Sequence, residues 1–138
     1  MNKCVIDCSV SAAWLLKDEY KRSAEILLKK IISGKILIIQ PDLWWYESMN
    51  LLKSSFLRKR IEYDDIKKSL FFLKEIPMTT VNSDKIPEHL WLENTLEFNL
   101  SAYDSAYLTL AQVQGAELLT YDKQLLKLNK KLKFISKP

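Results

Sequence analysis

The chain has 138 residues, the length of one domain, and 48% of them are hydrophobic, which is enough for a buried core. With only two glycines and four prolines, the composition excludes a collagenous, linker-rich or disordered chain. The 21 basic and 17 acidic residues leave a net charge of +4, which favours a polyanionic partner only weakly. We therefore expect a single domain over residues 1–138.

In chain order the predicted elements are a strand at 4–6, a helix from 9, a helix at 20–32, a strand at 36–39, a helix at 41–60, a helix at 63–75, a strand at 78–81, a helix at 87–98, a helix at 102–114, a strand at 116–120, a short helix from 122 and a strand at 133–135. Strands separated by one or two helices predict an α/β fold, in which helices cover both faces of a parallel sheet.

Membrane and export signals are weak in this sequence. The longest aliphatic run, residues 36–39, has the length of a strand and falls far short of the roughly 18–20 residues that cross a bilayer. One early lysine is followed by an aspartate at Asp7, which is not the pattern of a secretory signal peptide. We expect a cytoplasmic protein with no membrane partner.

The two cysteines, Cys4 and Cys8, are predicted to be free thiols. If the segment around them is a strand, their Cα atoms lie roughly 13 Å apart, which is too far for a disulfide. Because the chain has a single histidine, His89, a zinc site of the usual Cys/His type is also unfavourable.

Four carboxylates occupy positions that suit a functional site. Asp7 and Asp122 each follow an apolar strand, at the end where parallel sheets bind ligands, although an aspartate there can simply cap a helix. Asp104 follows Ser101 in the spacing of a capping box and borders the apolar face of its helix. Glu47 lies in an otherwise apolar helix stripe, where an unpaired charge is costly, and the alternatives to a functional role are a salt bridge to a lysine or a snorkelling side chain.

If these four acids converge, their like charges repel and raise one another's pKa, so a cation is the economical way to neutralise them. A ligand set made only of oxygen selects a hard ion, Mg²⁺ or Mn²⁺, and some of the acids would then act through water. Such a site can activate water and stabilise charge on a phosphoryl group. Basic residues that could contact a nucleic-acid backbone are Lys53, Arg58, Lys59, Arg60, Lys127, Lys130, Lys131 and Lys133.

Three segments resemble the PIN domain family. The opening, MNKCVIDCSV at residues 1–10, looks like the start of such a domain. The more specific part is LSAYDSAYLTLA at residues 100–111, followed by ELLTYDKQL at residues 117–125. Within the family the chain is most similar to the VapC-type toxins of toxin–antitoxin pairs, and the similarity covers nearly the whole sequence.

The resemblance implies a three-layer α/β/α sandwich with a central, mostly parallel sheet, and a Mg²⁺- or Mn²⁺-dependent ribonuclease. It also implies a homodimer and a small VapB-like antitoxin protein whose tail occupies the cleft. The acids carried over as metal-binding and catalytic residues are Asp7, Glu47, Asp104 and Asp122, and the hydroxyl residues carried over as their supports are Ser9 and Thr120.

The leading hypothesis is therefore hydrolysis of RNA phosphodiester bonds by a toxin. The alternatives are a PIN-like module that binds RNA or protein without cutting, and a PIN nuclease of RNA processing. A phosphatase that forms an aspartyl phosphate on Asp7 is disfavoured, because haloacid-dehalogenase-type enzymes carry a second acid two residues on, where this chain has Ser9.

Overall fold

A computed structural model describes residues 2–138, and its centre is a five-stranded sheet. The strands are β1 (Asn2–Ile6), β2 (Ile36–Pro41), β3 (Met78–Val81), β4 (Glu117–Leu119) and β5 (Ile135–Ser136). Their order across the sheet is β3-β2-β1-β4-β5, and all four pairings are parallel. The direction of strand order reverses beside β1, where β2 lies on one side and β4 on the other. In open parallel sheets such a reversal opens a crevice at the carboxyl ends of the strands.

Within the described residues, seven α-helices complete the α/β sandwich, and the predicted fold class is confirmed. They are α1 (Cys8–Leu15), α2 (Arg22–Ile32), α3 (Leu43–Leu57), α4 (Tyr63–Glu75), α5 (Glu88–Glu97), α6 (Ala102–Gln114) and α7 (Lys123–Leu126). In α2 the spacing of Ala24, Leu27 and Ile31 places three buried side chains on one face. In β1 the side chains of Val5 and Ile6 are fully buried, as expected for a strand covered on both sides.

The prediction that a helix begins at Pro41 is wrong. Pro41 is the last residue of β2 and pairs with Val81 of β3, while the next backbone N–H, that of Asp42, donates to the Val81 carbonyl oxygen at 2.9 Å. Proline is tolerated at this position because the strand ends there and its missing N–H interrupts no further ladder. The helix therefore begins at Leu43, and it ends at Leu57 rather than near residue 60.

A tight connection joins α6 to β4. Gly115 caps α6 with a φ of +61°, the left-handed conformation that glycine adopts without steric cost, and Ala116 leads directly into the strand. Because α6 runs back along the sheet for about 20 Å, its first turn returns to the carboxyl end of β4. Asp104 and Asp122 therefore belong to the same edge of the sheet.

The predicted free thiols are confirmed, since Cys4 and Cys8 form no disulfide within residues 2–138. In the same part of the chain, no helix has both the length and the apolar character needed to cross a membrane.

Candidate active site

Asp7 stands at the carboxyl end of β1 and is only 6% exposed. It caps α1, because its Oδ1 accepts a hydrogen bond from the Ser9 backbone N–H at 3.1 Å. The Ser9 hydroxyl donates to the same oxygen at 2.5 Å, and the Thr120 hydroxyl donates to Oδ2 at 2.6 Å. Both carboxylate oxygens are thus held by neutral donors. The helix cap that the sequence offered as the plain explanation is real, but it does not account for the Thr120 contact.

The two predicted hydroxyl supports also connect β1 to the segment that follows β4. Ser9 Oγ accepts from the Tyr121 backbone N–H at 2.9 Å, and Thr120 Oγ1 accepts from the Asp122 backbone N–H at 2.9 Å. Asp122 in turn caps α7 through a 2.7 Å bond from the Gln124 N–H to its Oδ1. Asp7 and Asp122 are therefore fixed within one hydrogen-bond network.

Glu47 lies on α3 and is half-buried. The salt bridge to lysine that the sequence left open is absent, since Glu47 forms no ion pair within residues 2–138. Instead its Oε1 accepts a 2.5 Å hydrogen bond from the hydroxyl of Tyr107, a fully buried side chain on α6. The carboxylate is thus positioned by a neutral donor from a distant element.

Asp104 lies in the first turn of α6 and is partly exposed. The hydroxyl of Ser101 accepts from the Asp104 backbone N–H at 3.1 Å, which is one half of the predicted capping box. The other half, a bond donated by the Ser101 N–H to the Asp104 carboxylate, is not formed in the described residues 2–138. The carboxylate therefore remains available at the mouth of the site.

We call Asp7, Glu47, Asp104 and Asp122 the acid edge. Burial is the main cause that raises the pKa of three of them, Asp7, Glu47 and Asp104. The charge of Asp122 further raises the pKa of Asp7 and of Asp104, and the charges of Asp104 and Asp7 raise that of Glu47. Hydrogen bonds from Ser9, Thr120 and Tyr107 oppose these shifts. The four acids therefore interact electrostatically with one another although they come from four segments of the chain.

A family model, described as the PIN domain, matches residues 4–131 of the chain. The chain belongs to the PIN domain family. The resemblance found in the sequence is thereby confirmed.

Two solved structures share the fold of this PIN domain. A toxin–antitoxin complex from Klebsiella pneumoniae contains a chain that is 17% identical, with a TM-score of 0.67, and the match covers 98% of this chain and 97% of that one. The crystal structure of PAE2754 from Pyrobaculum aerophilum is 22% identical, with a TM-score of 0.64, and covers 91% of this chain and 85% of that one. No curated protein sequence matches the chain.

The donor set of the PIN domain's acid edge suits Mg²⁺ or Mn²⁺, because it consists of carboxylate and hydroxyl oxygens. Within residues 2–138 no three Asp, Glu, His or Cys side chains are close enough together to form a common metal-binding group. Since Mg²⁺ keeps several waters and takes one or two carboxylates directly, the residues fit an ion that the remaining acids contact through water. Burial, and to a lesser extent the charge of Asp122, raises the pKa of Asp7 and of Asp104, and this uncompensated charge is what such an ion would relieve.

Sequence reasoning missed two residues beside the acid edge. Tyr107 lies three residues after Asp104, on the apolar face that Asp104 borders, and this spacing is a usable signal. Gln40 was not singled out, yet it is a polar residue in the otherwise apolar strand ILIIQP, and its amide is fully buried. It bonds to the backbone of Ile6, the residue before Asp7.

The predicted basic contacts are exposed lysines and arginines, and Arg60 differs from the others because it is paired with acidic neighbours. Arg60 Nε and Nη2 donate to Asp18 at 3.0 and 2.9 Å, and Nη2 also contacts Glu19 at 3.2 Å. We call these three residues the Arg60 cluster. Asp18 and Arg60 line a cavity of about 460 Å³ between α1 and α4, and none of the four acids lines it. Arg60 is thus occupied by acidic neighbours and is less suited to an RNA phosphate than the prediction assumed.

Proposed function

We propose that this PIN domain is a Mg²⁺- or Mn²⁺-dependent ribonuclease that hydrolyses RNA phosphodiester bonds, and that it acts as the toxin of a toxin–antitoxin pair in the cytoplasm. The observation that carries the proposal is the acid edge. Four carboxylates interact there with one another and have no lysine, arginine or histidine ion-pair partner within residues 2–138. Burying part of such a set costs free energy, which is expected where function rather than stability placed the charges.

In this proposal Asp7 and Asp104 are the principal metal ligands, and Asp122 and Glu47 complete the set through water or orient the attacking water. When bound, the ion supplies acidified water and stabilises charge that develops on the phosphate. Asp7 suits a fixed ligand, because hydroxyl and N–H donors hold both of its oxygens. Asp104 suits an adjustable one, because its carboxylate is partly exposed at the mouth of the site.

Glu47 has the properties of a general base for the attacking water. Tyr107 holds its Oε1, so we assign proton uptake to Oε2. Burial and the neighbouring charges of Asp104 and Asp7 raise the pKa of Glu47, which makes its carboxylate a better proton acceptor than an exposed glutamate. The phosphodiester would lie between this carboxylate and the principal ligands, with in-line attack on phosphorus.

An RNA substrate is supported by the charge of the chain. Exposed lysines near the C-terminus, at 127, 130, 131 and 133, follow Asp122 closely in sequence and can contact phosphates. The net charge of +4 includes the acid edge, so the remaining surface is more basic than that total suggests.

A small antitoxin is the proposed protein partner, supported by the fold shared with a chain of the Klebsiella pneumoniae toxin–antitoxin complex. We also propose a homodimer, as the family resemblance implies. Light scattering of the purified chain, alone and with the product of an adjacent short reading frame, measures both associations.

Incubation of the purified protein with single-stranded RNA and Mn²⁺ or Mg²⁺ tests the proposed activity. The wild type should cut, and chelation of the metal should stop the reaction. Asp7→Asn should abolish cleavage and leave the fold intact, because asparagine also caps a helix well. Asp18→Asn, on the exposed Arg60 cluster, is the matched control and should cut at the wild-type rate. A fully active Asp7→Asn variant would contradict the assignment, and a wild type inactive on many RNAs would favour a non-catalytic binding module.

A further inference from the structure

The sheet separates between β1 and β2 at its carboxyl edge. Backbone pairing of these strands ends with Cys4 opposite Ile38. Beyond that point β2 stays paired with β3 as far as Pro41, and β1 stays paired with β4 as far as Ile6. The two halves of the sheet therefore part just before Asp7, the residue that follows β1.

The side chain of Gln40 bridges this separation. Extending the register of the two strands places Gln40 opposite Ile6. There the Gln40 Oε1 accepts from the Ile6 backbone N–H at 2.8 Å, and its Nε2 donates to the Ile6 carbonyl oxygen at 2.7 Å. Both residues are fully buried. One amide side chain thus supplies two hydrogen bonds between strands whose backbone pairing has already ended.

A second contact holds α3 in place on the same side of the separation. The indole N–H of Trp44, in the first turn of α3, donates to Ser11 Oγ of α1 at 2.8 Å, and both side chains are fully buried. Since β2 leads into α3, the Gln40 bridge fixes one end of the segment that carries Glu47. The Trp44 contact fixes that segment against the helix that begins after Asp7.

We propose that Gln40 is a positioning residue of the active site: its amide, acting through the Ile6 backbone, sets the position of Asp7 relative to Glu47 across the separated strands. The inference rests on the proposed function in that it assigns a catalytic purpose to this spacing. A buried amide that only stabilised the fold could contribute the same hydrogen-bond energy anywhere in the core. Here it binds the backbone of Ile6, which directly precedes Asp7, the most buried acid of the site.

Two substitutions separate positioning from stability. Gln40→Met keeps the length of the side chain and removes both hydrogen bonds, whereas Gln40→Asn keeps the amide and shortens its reach by one methylene. The matched control is Asn94→Leu, because Asn94 is also a buried amide and its Nδ2 donates to Thr109 and Gln112, both at 3.0 Å, between α5 and α6. All variants are assayed well below their melting temperatures for kcat, KM and Mn²⁺ affinity, the last by electron paramagnetic resonance of free Mn²⁺.

Positioning predicts that both Gln40 variants lose about tenfold to a hundredfold in kcat and in Mn²⁺ affinity with KM for RNA little changed, whereas Asn94→Leu loses only stability. If Gln40→Met does not fold, Gln40→Asn decides the question. Gln40 variants that keep kcat and Mn²⁺ affinity within about twofold of the wild type would overturn the inference.

Failure of the proposed function has a different signature. A wild type that binds Mn²⁺ but cuts no RNA overturns the ribonuclease assignment, and the Mn²⁺ affinities of the Gln40 variants still decide the positioning role. A wild type that neither binds Mn²⁺ nor cuts overturns both.

Discussion

The carboxylates of the acid edge and those of the Arg60 cluster have opposite electrostatic environments. At the Arg60 cluster, hydrogen bonds from Arg60 lower the pKa of Asp18, whose carboxylate is exposed and paired. At the acid edge, burial and neighbouring carboxylates raise the pKa of Asp7 and Asp104. The first arrangement satisfies its charges within the chain, whereas the second leaves them to be satisfied by something outside it. Unbalanced charge, more than the number of acids, therefore distinguishes the candidate site from an ordinary ion-paired surface.

The strongest challenge to this contrast is Glu47→Gln. If Glu47 is the general base, the neutral amide should lower kcat by about 10²- to 10⁴-fold, with a smaller effect on KM. Glu93→Gln is a matched control, because Glu93 is an exposed acid that pairs with His89 on the surface of α5. Steady-state kinetics on a labelled RNA measure both variants. Equal rates for the two would remove Glu47 from the mechanism.

A smaller effect is expected from Tyr107→Phe, which removes only the hydroxyl that holds Glu47. We expect kcat to fall by about tenfold. The hydrogen bond from Tyr107 lowers the pKa of Glu47, so its loss should raise that pKa further and move the acid limb of the pH–rate profile to higher pH. A profile that keeps the wild-type acid limb would mean that the hydroxyl does not act on Glu47.

In the metal-free protein, the acid edge should lower the thermal stability by an amount that depends on pH. The pKa of Asp104 is raised in the folded state, so the folded chain binds a proton on this carboxylate more tightly than the unfolded chain does. The stability that this proton contributes is lost as the pH rises from about 4, the ordinary pKa of aspartate, through the raised pKa of the folded state. Asp104→Asn should therefore melt at a higher temperature than the wild type at neutral pH. The difference should disappear below the ordinary pKa of aspartate.

Mn²⁺ supplies the matching test by calorimetry. Added at neutral pH, it should raise the melting temperature of the wild type by mass action and that of Asp104→Asn by less. An equal rise in both proteins would separate Asp104 from metal binding.

The smallest effect is expected at the Arg60 cluster. Asp18→Asn removes an exposed ion pair, so the melting temperature should fall only slightly at low salt, and the loss should shrink further as salt is added. Here the pH dependence has the opposite sign, because the lowered pKa of Asp18 contributes stability at neutral pH that is lost as pH falls through that pKa. A large drop in melting temperature that did not depend on salt would contradict the interpretation of the Arg60 cluster as an ordinary exposed ion pair.

The sequence predicted most elements because hydrophobic periodicity and end signals record which face of each segment is buried. The bounds of α4, β3 and α6 agree residue for residue with the prediction, and Gly115 ends α6 as expected. Pro41 was misplaced because proline suits both the first turn of a helix and the last position of a strand, and only the neighbouring β3 decides between them.

The site was less accessible to sequence reasoning than the fold. Asp7 and Asp122 were predictable because ends of parallel strands meet at one edge, but their roles stay predictions. Gln40 was not predictable, because its amide matters only where β1 and β2 part, and that point depends on how far each strand pairs with its other neighbour. Tyr107 has the same difficulty, since its partner Glu47 lies 60 residues away in the chain.

The bond from Thr120 to Asp7 spans 113 residues of sequence and joins the first strand to the segment after the fourth. Ribosomes make a chain from its N-terminus at about 5–20 residues per second, so Asp7 emerges long before its partners are synthesised. During that interval a growing chain has neither Thr120 nor Asp122 and carries no complete cleft. The acid edge is therefore assembled only after the segment that follows β4 has emerged from the ribosome, so the proposed RNA cleavage cannot begin on the shorter nascent chain.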